Sequence, residues 1–537
     1  MAELRLTGRL ASGGFAAGPL ALLSGLVATS RKGGAPAGEA AALRDAIAIA
    51  LDQLSQLAAH MPGDGADILA FQVAMLDDEA LASPAFAEIA AGASADLAWR
   101  DALDTEIEGY EAADDEHFRA RASDLRDIRD RVLGALSGAS TESRPPAGAI
   151  LLAEDLTPSR FLSTDWSQGG GIALTRGSAS GHVATLARSR GIPMLVGIEL
   201  DLTSIGNQGE ALIDGESATL CLDPAPATRQ AFATRAGAAR HAAEAAEKFR
   251  MRPAVTADGT AIVICLNVAD PAEIEVLDPA GCDGIGLVRT EFLFHGKAEL
   301  PDEETQYRVY RRLAEWAAGK PVTIRTLDAG ADKPIPGLTI DGETNPFLGV
   351  RGIRLSLARP EAFRVQLRAL CRAAMHGAVE VMLPMVTLPG ELARARCILA
   401  EELAALQAAG IPCRLPPLGI MVEVPAAAIA IEAFDSAFFS IGSNDLTQYV
   451  MAAARDNNAV AELSDPTHPA VLRLIAQVAA HGLATGRKVS LCGDAGGDPK
   501  LVKALLTAGL RTLSVAPAAL AKVKEAIAHT DLSGSGG

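Results

Sequence analysis

The sequence predicts a multidomain α/β chain: an α/β domain carrying an inserted helical bundle, followed by a (β/α)8 TIM barrel. Three observations carry that prediction. At 537 residues the chain exceeds what one hydrophobic core supports. An Ala- and Leu-rich helical stretch, from about Gly38 to Gly138, has strand-like runs on both sides of it. From Val255 onward short β-type runs alternate with helical segments, and eight such runs are read before the end of the chain.

Composition narrows the function classes. With 49% hydrophobic and 21% charged residues the chain is an ordinary folded protein. A net charge of −18 argues against a nucleic-acid partner, because no basic surplus exists to neutralise phosphates; it suits solubility and a basic protein partner. The seven cysteines (221, 265, 282, 371, 397, 413 and 492) form no CxxC pair, which points to reduced thiols in the cytoplasm. Residues 14–29, GFAAGPLALLSGLVAT, are broken by Gly and Pro and read as a strand and turn, with no membrane insertion expected.

Taken in order, residues 1–25 read as strands interrupted by Gly13, Gly14 and Gly18, the first part of the α/β domain. Residues 26–143 form the helical insert, in which Ile68, Phe71, Met75 and Leu76 fall at helical spacing. A helix from Asp101 to Tyr110 carries Asp101, Asp104, Glu106 and Glu108, and Glu111, Asp114, Asp115 and Glu116 follow. That acidic face is either simply solvated or a docking face for a basic partner. Pro145–Pro146 stop the helices, and residues 144–224 return to strands at Ala149–Ala153, Gly171–Leu174, Pro193–Val196 and Ala211–Ile213. Residues 225–251 read as a linker helix and 252–537 as the barrel. Its eight strands are expected at Ala261–Val268, Gly284–Val288, Val322–Arg325, Phe347–Arg351, Val379–Leu383, Leu418–Val422, Ala437–Ile441 and Lys488–Leu491.

One histidine stands out. His182 follows Gly177, Ser178, Ala179, Ser180 and Gly181 and precedes a helix-like segment. Small residues at a helix N-terminus let backbone N–H groups approach a phosphate. A solvated imidazole there is partly neutral at pH 7 and can act as a nitrogen nucleophile. The plain alternative is a capping loop with a solvated histidine.

The barrel's polar residues gather after its strands, where this fold builds active sites. Arg289 lies in LVRTEFLF; Arg325, Asp328 and Lys333 in TIRTLDAGADK; Asn345 and Arg351 in NPFLGVRGIR; Glu423 in GIMVEVPAA. Ser443, Asn444 and Asp445 lie in FFSIGSNDLTQY, with Arg455 beyond them, and Cys492 in LCGD. Three arginines and a lysine in one mouth suit a substrate with several anionic oxygens. Glu423 and Asp445, on neighbouring strands, suit Mg²⁺, which takes one or two carboxylates and completes its shell with water and substrate. Cys492 is a candidate proton donor or acceptor. Taken singly, each has a plainer reading as a surface ion pair, a structural salt bridge or a small core residue. Their recurrence at successive strand ends favours a site. His468, before Pro469, is a further candidate for the mouth.

These motifs together resemble the enzyme I family of phosphoenolpyruvate-dependent sugar phosphotransferase systems, the phosphoenolpyruvate–protein phosphotransferases. The similarity runs over nearly the whole chain, from LDDE and ARASDLRDIRDRVL through DLTPS and HVATLARSRGIPMLVG to the barrel motifs and LCGDAGGD. It implies a swivelling phosphohistidine domain and a barrel that binds phosphoenolpyruvate (PEP), phosphorylates His182 and releases pyruvate. The phosphoryl group would then pass to a histidine of HPr, a carrier protein docked on the helical insert. The resemblance also implies Mg²⁺ on Glu423 and Asp445, phosphate on Arg289, Arg325, Lys333 and Arg351, and carboxylate on Asn444 and Arg455. Cys492 would protonate the enolate carbon, and the barrel would mediate a homodimer.

This sequence departs from the family pattern beside the histidine, with Ser180-Gly181 in place of Thr-Ser and Gly177-Ser178 in place of Gly-Gly. An altered rate or phosphohistidine stability is expected, with function kept. Two other readings compete. A pyruvate phosphate dikinase or PEP synthase would need a nucleotide-binding domain, and the chain has no glycine-rich phosphate loop for one. A PEP-sensing regulatory protein without transfer would not need the Mg²⁺ carboxylates or Cys492.

Overall fold

In the computed structural model the chain divides into two units, Met1–Ala239 and Arg240–Gly537. Residues 3–23, 33–59, 64–111, 116–138, 145–177, 181–206, 209–269, 271–274, 277–294, 300–330, 335, 337–340, 343–454 and 458–533 are described. The first unit begins with β1 (Leu4–Thr7), β2 (Arg9–Ser12) and β3 (Phe15–Leu22). Five helices follow: α1 (Pro36–Ala59), α2 (Asp64–Asp77), α3 (Glu79–Ala90), α4 (Ala95–Glu111) and α5 (Glu116–Ser137). The sheet then resumes with β4 (Ile150–Ala153), α6 (Pro158–Ser163), β5 (Gly171–Leu174), α7 (His182–Arg190), β6 (Met194–Val196), β7 (Glu210–Asp214) and β8 (Thr219–Leu222). Helix α8 (Pro226–Glu247) runs across the division between the units.

The eight strands form one sheet in the order β1-β8-β7-β3-β4-β5-β6-β2, with β3 to β6 parallel and the remaining pairs antiparallel. Side chains alternate across it with the two-residue period of a strand. Ile150 and Leu152 join Leu20, Ala173, Leu195 and Ile213 in one core. Leu151 and Ala153, one residue out of step, join Ile172, Leu174 and Met194 together with Leu43, Leu54, Trp99 and Ile128 of the helices. The helical insert therefore shares its core with one face of the sheet. The stretch 14–29 supplies β3, and its residues from 24 lie outside the described ones. Among the described residues no helix is long and apolar enough to cross a membrane.

In the second unit eight parallel strands close into a barrel: β9 (Val263–Val268), β10 (Ile285–Val288), β11 (Pro321–Arg325), β12 (Ala378–Leu383), β13 (Leu418–Val422), β14 (Phe438–Ile441), β15 (Lys488–Leu491) and β16 (Thr512–Val515). Inside, Leu287, Met382, Met421, Phe438 and Cys492 form an apolar layer. One expected strand is corrected. Phe347–Arg351 forms no strand: Pro346–Leu348 is a 3₁₀ turn, Gly349 ends it, and Gly352 with φ of 58° leads into the helix Ile353–Ala358. Proline without an N–H and glycine in the left-handed region break a ladder. The eighth strand is instead Thr512–Val515, which pairs with β9 from Thr512↔Val263 to Val515↔Leu266 and closes the ring. Its four residues, TLSV, are short and half polar, so the hydrophobic pattern did not mark them.

Candidate active site at the barrel mouth

Parallel strands end at one rim, so the residues after β10 to β15 converge by topology. Arg325 closes β11 and is buried. Its Nη2 donates to Glu291 Oε1 at 2.8 Å, and its Nη1 lies 3.1 Å from Asp328 Oδ2. Asp328, fully buried, also pairs with Arg351 through Nη2 at 3.0 Å and Nε at 3.3 Å. Arg351, equally buried, donates through Nη1 to Asp445 Oδ1 at 3.1 Å and to the Tyr449 hydroxyl at 3.3 Å. One continuous chain of ion pairs thus runs Glu291–Arg325–Asp328–Arg351–Asp445. It links the ends of three strands, β10, β11 and β14.

The charges in this chain hold one another in place. Burial pulls the pKa of Arg325 down, but Glu291 and Asp328 more than offset it and leave the guanidinium above the ordinary arginine value. Arg351 behaves alike, burial being outweighed by Asp328 and Asp445. A removed partner would leave a buried uncompensated charge.

Glu423 follows β13 and is buried. The backbone N–H of Met385 donates to its Oε1 at 2.6 Å. Met385 has φ of 57°, an unfavourable region for a side-chain-bearing residue, and this strained turn aims its N–H at the carboxylate. Burial first, then the charges of Asp445 and Asp328, push the Glu423 pKa up. Four buried carboxylates (Glu291, Asp328, Glu423 and Asp445) thus face two buried guanidiniums. The surplus negative charge and the hard oxygen donors on adjoining strands β13 and β14 fit a divalent cation. Among the described residues no group of three or more His, Cys, Asp or Glu is arranged as a metal cage. A two-carboxylate site completed by water and substrate is the arrangement these residues suit.

Cys492 follows β15, with 2% of its surface exposed, in the apolar layer below the mouth. Burial pushes its thiol up to about 11, the Ser440 hydrogen bond and the charges of Arg325 and Arg289 pulling the other way. At neutral pH it is a protonated acid. Arg289 follows β10 at the rim, half-buried. Asn444 is the second residue of the helix Ser443–Met451, and its side chain pairs with Asp494.

The structure thus brings Arg325, Arg351, Glu423, Asp445, Asn444, Cys492 and Arg289 to the strand ends of one barrel. Lys333 and Arg455 lie outside the described residues. His468 does something else: it stands at the N-cap of the helix Pro469–Thr485, where its Nδ1 accepts from the Ala470 N–H at 3.2 Å. His182 belongs to the first unit, where it opens α7 with Gly181 at the N-cap (φ −65°, ψ 166°). Gly177, at φ of 92°, opens the loop before it in a conformation that favours glycine. Sequence reasoning gave no role to Glu291 or Asp494, and left Asp328 as one polar residue among others. Their signal was position: each lies two or three residues from an arginine or cysteine already singled out.

The chain matches three family models in succession: PEP-utilising enzyme, N-terminal (residues 7–121), PEP-utilising enzyme, mobile domain (145–218), and PEP-utilising enzyme, PEP-binding domain (243–532). Similar curated proteins include the phosphoenolpyruvate-protein phosphotransferase of Geobacillus stearothermophilus, 38% identical over 489 residues, covering 89% of this chain and 84% of that one. The protein of that name from Haloferax volcanii is 39% identical over 505 residues, covering 91% and 87%. That of Bacillus subtilis is 35% identical over 483 residues, covering 88% and 84%.

Proposed function

This chain belongs to the PEP-utilising enzymes, among the phosphoenolpyruvate-protein phosphotransferases, and from that membership we propose its reaction. PEP binds in the barrel mouth, its phosphoryl group moves to His182 with release of pyruvate, and His182 passes it to a histidine of an HPr-like carrier protein. The observation that carries this reading is the buried chain Glu291–Arg325–Asp328–Arg351–Asp445 with Glu423 and Cys492 beside it. It supplies cationic forks for phosphate, carboxylates for a cation and a neutral acid, all in one mouth.

Phosphoryl transfer is mostly positioning and charge neutralisation. Arg325 and Arg351 enter the reaction already oriented by Asp328, so little reorganisation is needed when phosphate arrives. We assign Arg289 and Lys333 to the same phosphate, and Asn444 and Arg455 to the carboxylate. The imidazole nitrogen of His182 attacks phosphorus; a P–N bond forms and the bridging P–O bond breaks, leaving the enolate of pyruvate. The Cys492 thiol gives its proton to the methylene carbon, and the thiolate regains one from water. Glu423 and Asp445 would hold a divalent cation, Mg²⁺ in this reading, which when bound neutralises charge on phosphate and carboxylate oxygens.

The HPr-like partner is assigned to the helical insert, where α4 exposes Asp101, Glu106 and Glu108 to a basic surface. Dimerisation through the barrel and a cytoplasmic setting complete the proposal; the seven free cysteines support the latter. The test is direct. Incubation with phosphate-labelled PEP and Mg²⁺, followed by peptide mapping, is expected to place acid-labile label on His182 and none on H182A. Label absent from His182 in the wild-type chain would overturn the reading.

A further inference from the structure

We propose that Asp494 is a positioning residue for Asn444, and through it a determinant of how the barrel mouth recognises a substrate carboxylate. The inference rests on the carboxylate role given to Asn444 above and deepens it. Asn444 Nδ2 donates to Asp494 Oδ2 at 2.9 Å, and Asn444 Oδ1 accepts from the Asp494 backbone N–H at 2.9 Å. The two bonds run in opposite directions, so they fix which end of the amide is nitrogen. Ser443 Oγ donates to the same Oδ1 at 3.5 Å. An amide nitrogen carries two hydrogens, and among the described residues Asp494 takes one of them. The other is a donor held in a fixed plane at the mouth, half-buried, and it suits an anionic oxygen.

The backbone shows why Asp494 stands there. Strands β14 and β15 pair in register up to Ile441↔Leu491, and the Cys492 N–H donates to Ile441 O at 3.0 Å. One residue further, Gly493 lies so close to the start of the neighbouring helix that a Cβ on it would fall 1.9 Å from Ser443 Oγ and 2.7 Å from Ser443 N. The missing side chain lets the two strand-end loops meet, and the next residue, Asp494, faces the Asn444 amide. The same Cys492–Gly493–Asp494 turn therefore carries the proposed proton donor and the amide lock. A rotated Asn444 would present a carbonyl oxygen to the substrate carboxylate, repelling it. Asp494 is itself exposed and acts only through Asn444.

The experiment is isotope exchange between labelled pyruvate and PEP, which needs no carrier protein, run on the full chain with Mg²⁺. D494A is expected to raise the KM for PEP roughly tenfold, the usual order for losing a hydrogen bond to a charged group, with a smaller fall in kcat. D494N keeps an acceptor oxygen and the backbone N–H, and it is expected to recover most of that loss. The double variant N444A/D494A is expected to be no worse than N444A, because the lock has nothing left to orient. If N444A raises KM and D494A does not, or if their effects multiply, the positioning role is overturned while the reading of Asn444 stands. If N444A leaves KM unchanged, the carboxylate role falls and this inference with it. Loss of fold in D494A is recognised by circular dichroism, and D494S, whose shorter side chain does not reach the amide, then decides: a KM raised towards that of N444A upholds the role, and a KM equal to wild type refutes it.

Discussion

Cys492 stays protonated because of where it sits. An ordinary thiol titrates near 8.5 and would be partly thiolate in mild base. Burial in the apolar layer of Leu287, Met382, Met421 and Phe438 pushes this one up to about 11. A proton donor acts only while protonated, so its contribution is complete below the shifted value and is lost as pH rises through it. The alkaline limb of exchange activity that belongs to Cys492 is therefore expected near pH 11, not near 9, and absent in C492A. C492A is also expected to slow exchange by ~10²–10⁴-fold, the range for removing a general acid, while PEP still raises the melting temperature. Arg351 makes the complementary point about charge. Its guanidinium bridges Asp328 and Asp445 at once, a geometry that the single ammonium of lysine does not reproduce. R351K should fold but lose at least about tenfold in kcat/KM, two charged hydrogen bonds being at stake. R351M strands two buried carboxylates and is expected to lower unfolding free energy by about 3–5 kcal/mol in urea titrations.

At the scale of elements, the strand ends and their tight turns do the assembling. Gly493 is the strictest of these, since a methyl group there meets both the side chain and the backbone of Ser443. G493A is expected to cost about 1–3 kcal/mol of stability and to raise the KM for PEP, because relief of the clash moves Cys492 and Asp494 together. A G493A protein with the wild-type melting temperature and KM would show that the two loops are not coupled. The same turns explain what was legible beforehand. Seven of the barrel strands announced themselves as apolar runs, and the polar residues after them could be listed from their position alone. Phe347–Arg351 looked like a strand because Phe347, Leu348 and Val350 are apolar, but they flank Arg351, whose buried ion pairs hold the segment as a loop. Thr512–Val515 escaped notice because half of it is hydroxylated. The pairing of Asp328 with two arginines at once depends on the long connection after β11 folding back to bring Arg351 beside Arg325, which no local pattern encodes.

For the whole molecule, each unit has cores of its own: a sheet with its helical insert in one, a closed barrel in the other. The proposed nucleophile and the proposed PEP site lie on different units, so binding and transfer should be separable. A fragment of residues 240–537 carries the barrel and its mouth intact. It is expected to fold and to be stabilised by PEP with Mg²⁺ by about 2.7 kcal/mol at a hundredfold excess over Kd, yet to catalyse no pyruvate–PEP exchange. Adding the fragment of residues 1–239 should restore label on His182, at a rate that now depends on fragment concentration. Covalent connection makes the encounter of the two units intramolecular, so at micromolar concentrations the mixed fragments should react far more slowly than the intact chain. Exchange by the barrel fragment alone would show that a group other than His182 accepts the phosphoryl, and would undo the assignment of the nucleophile to the first unit.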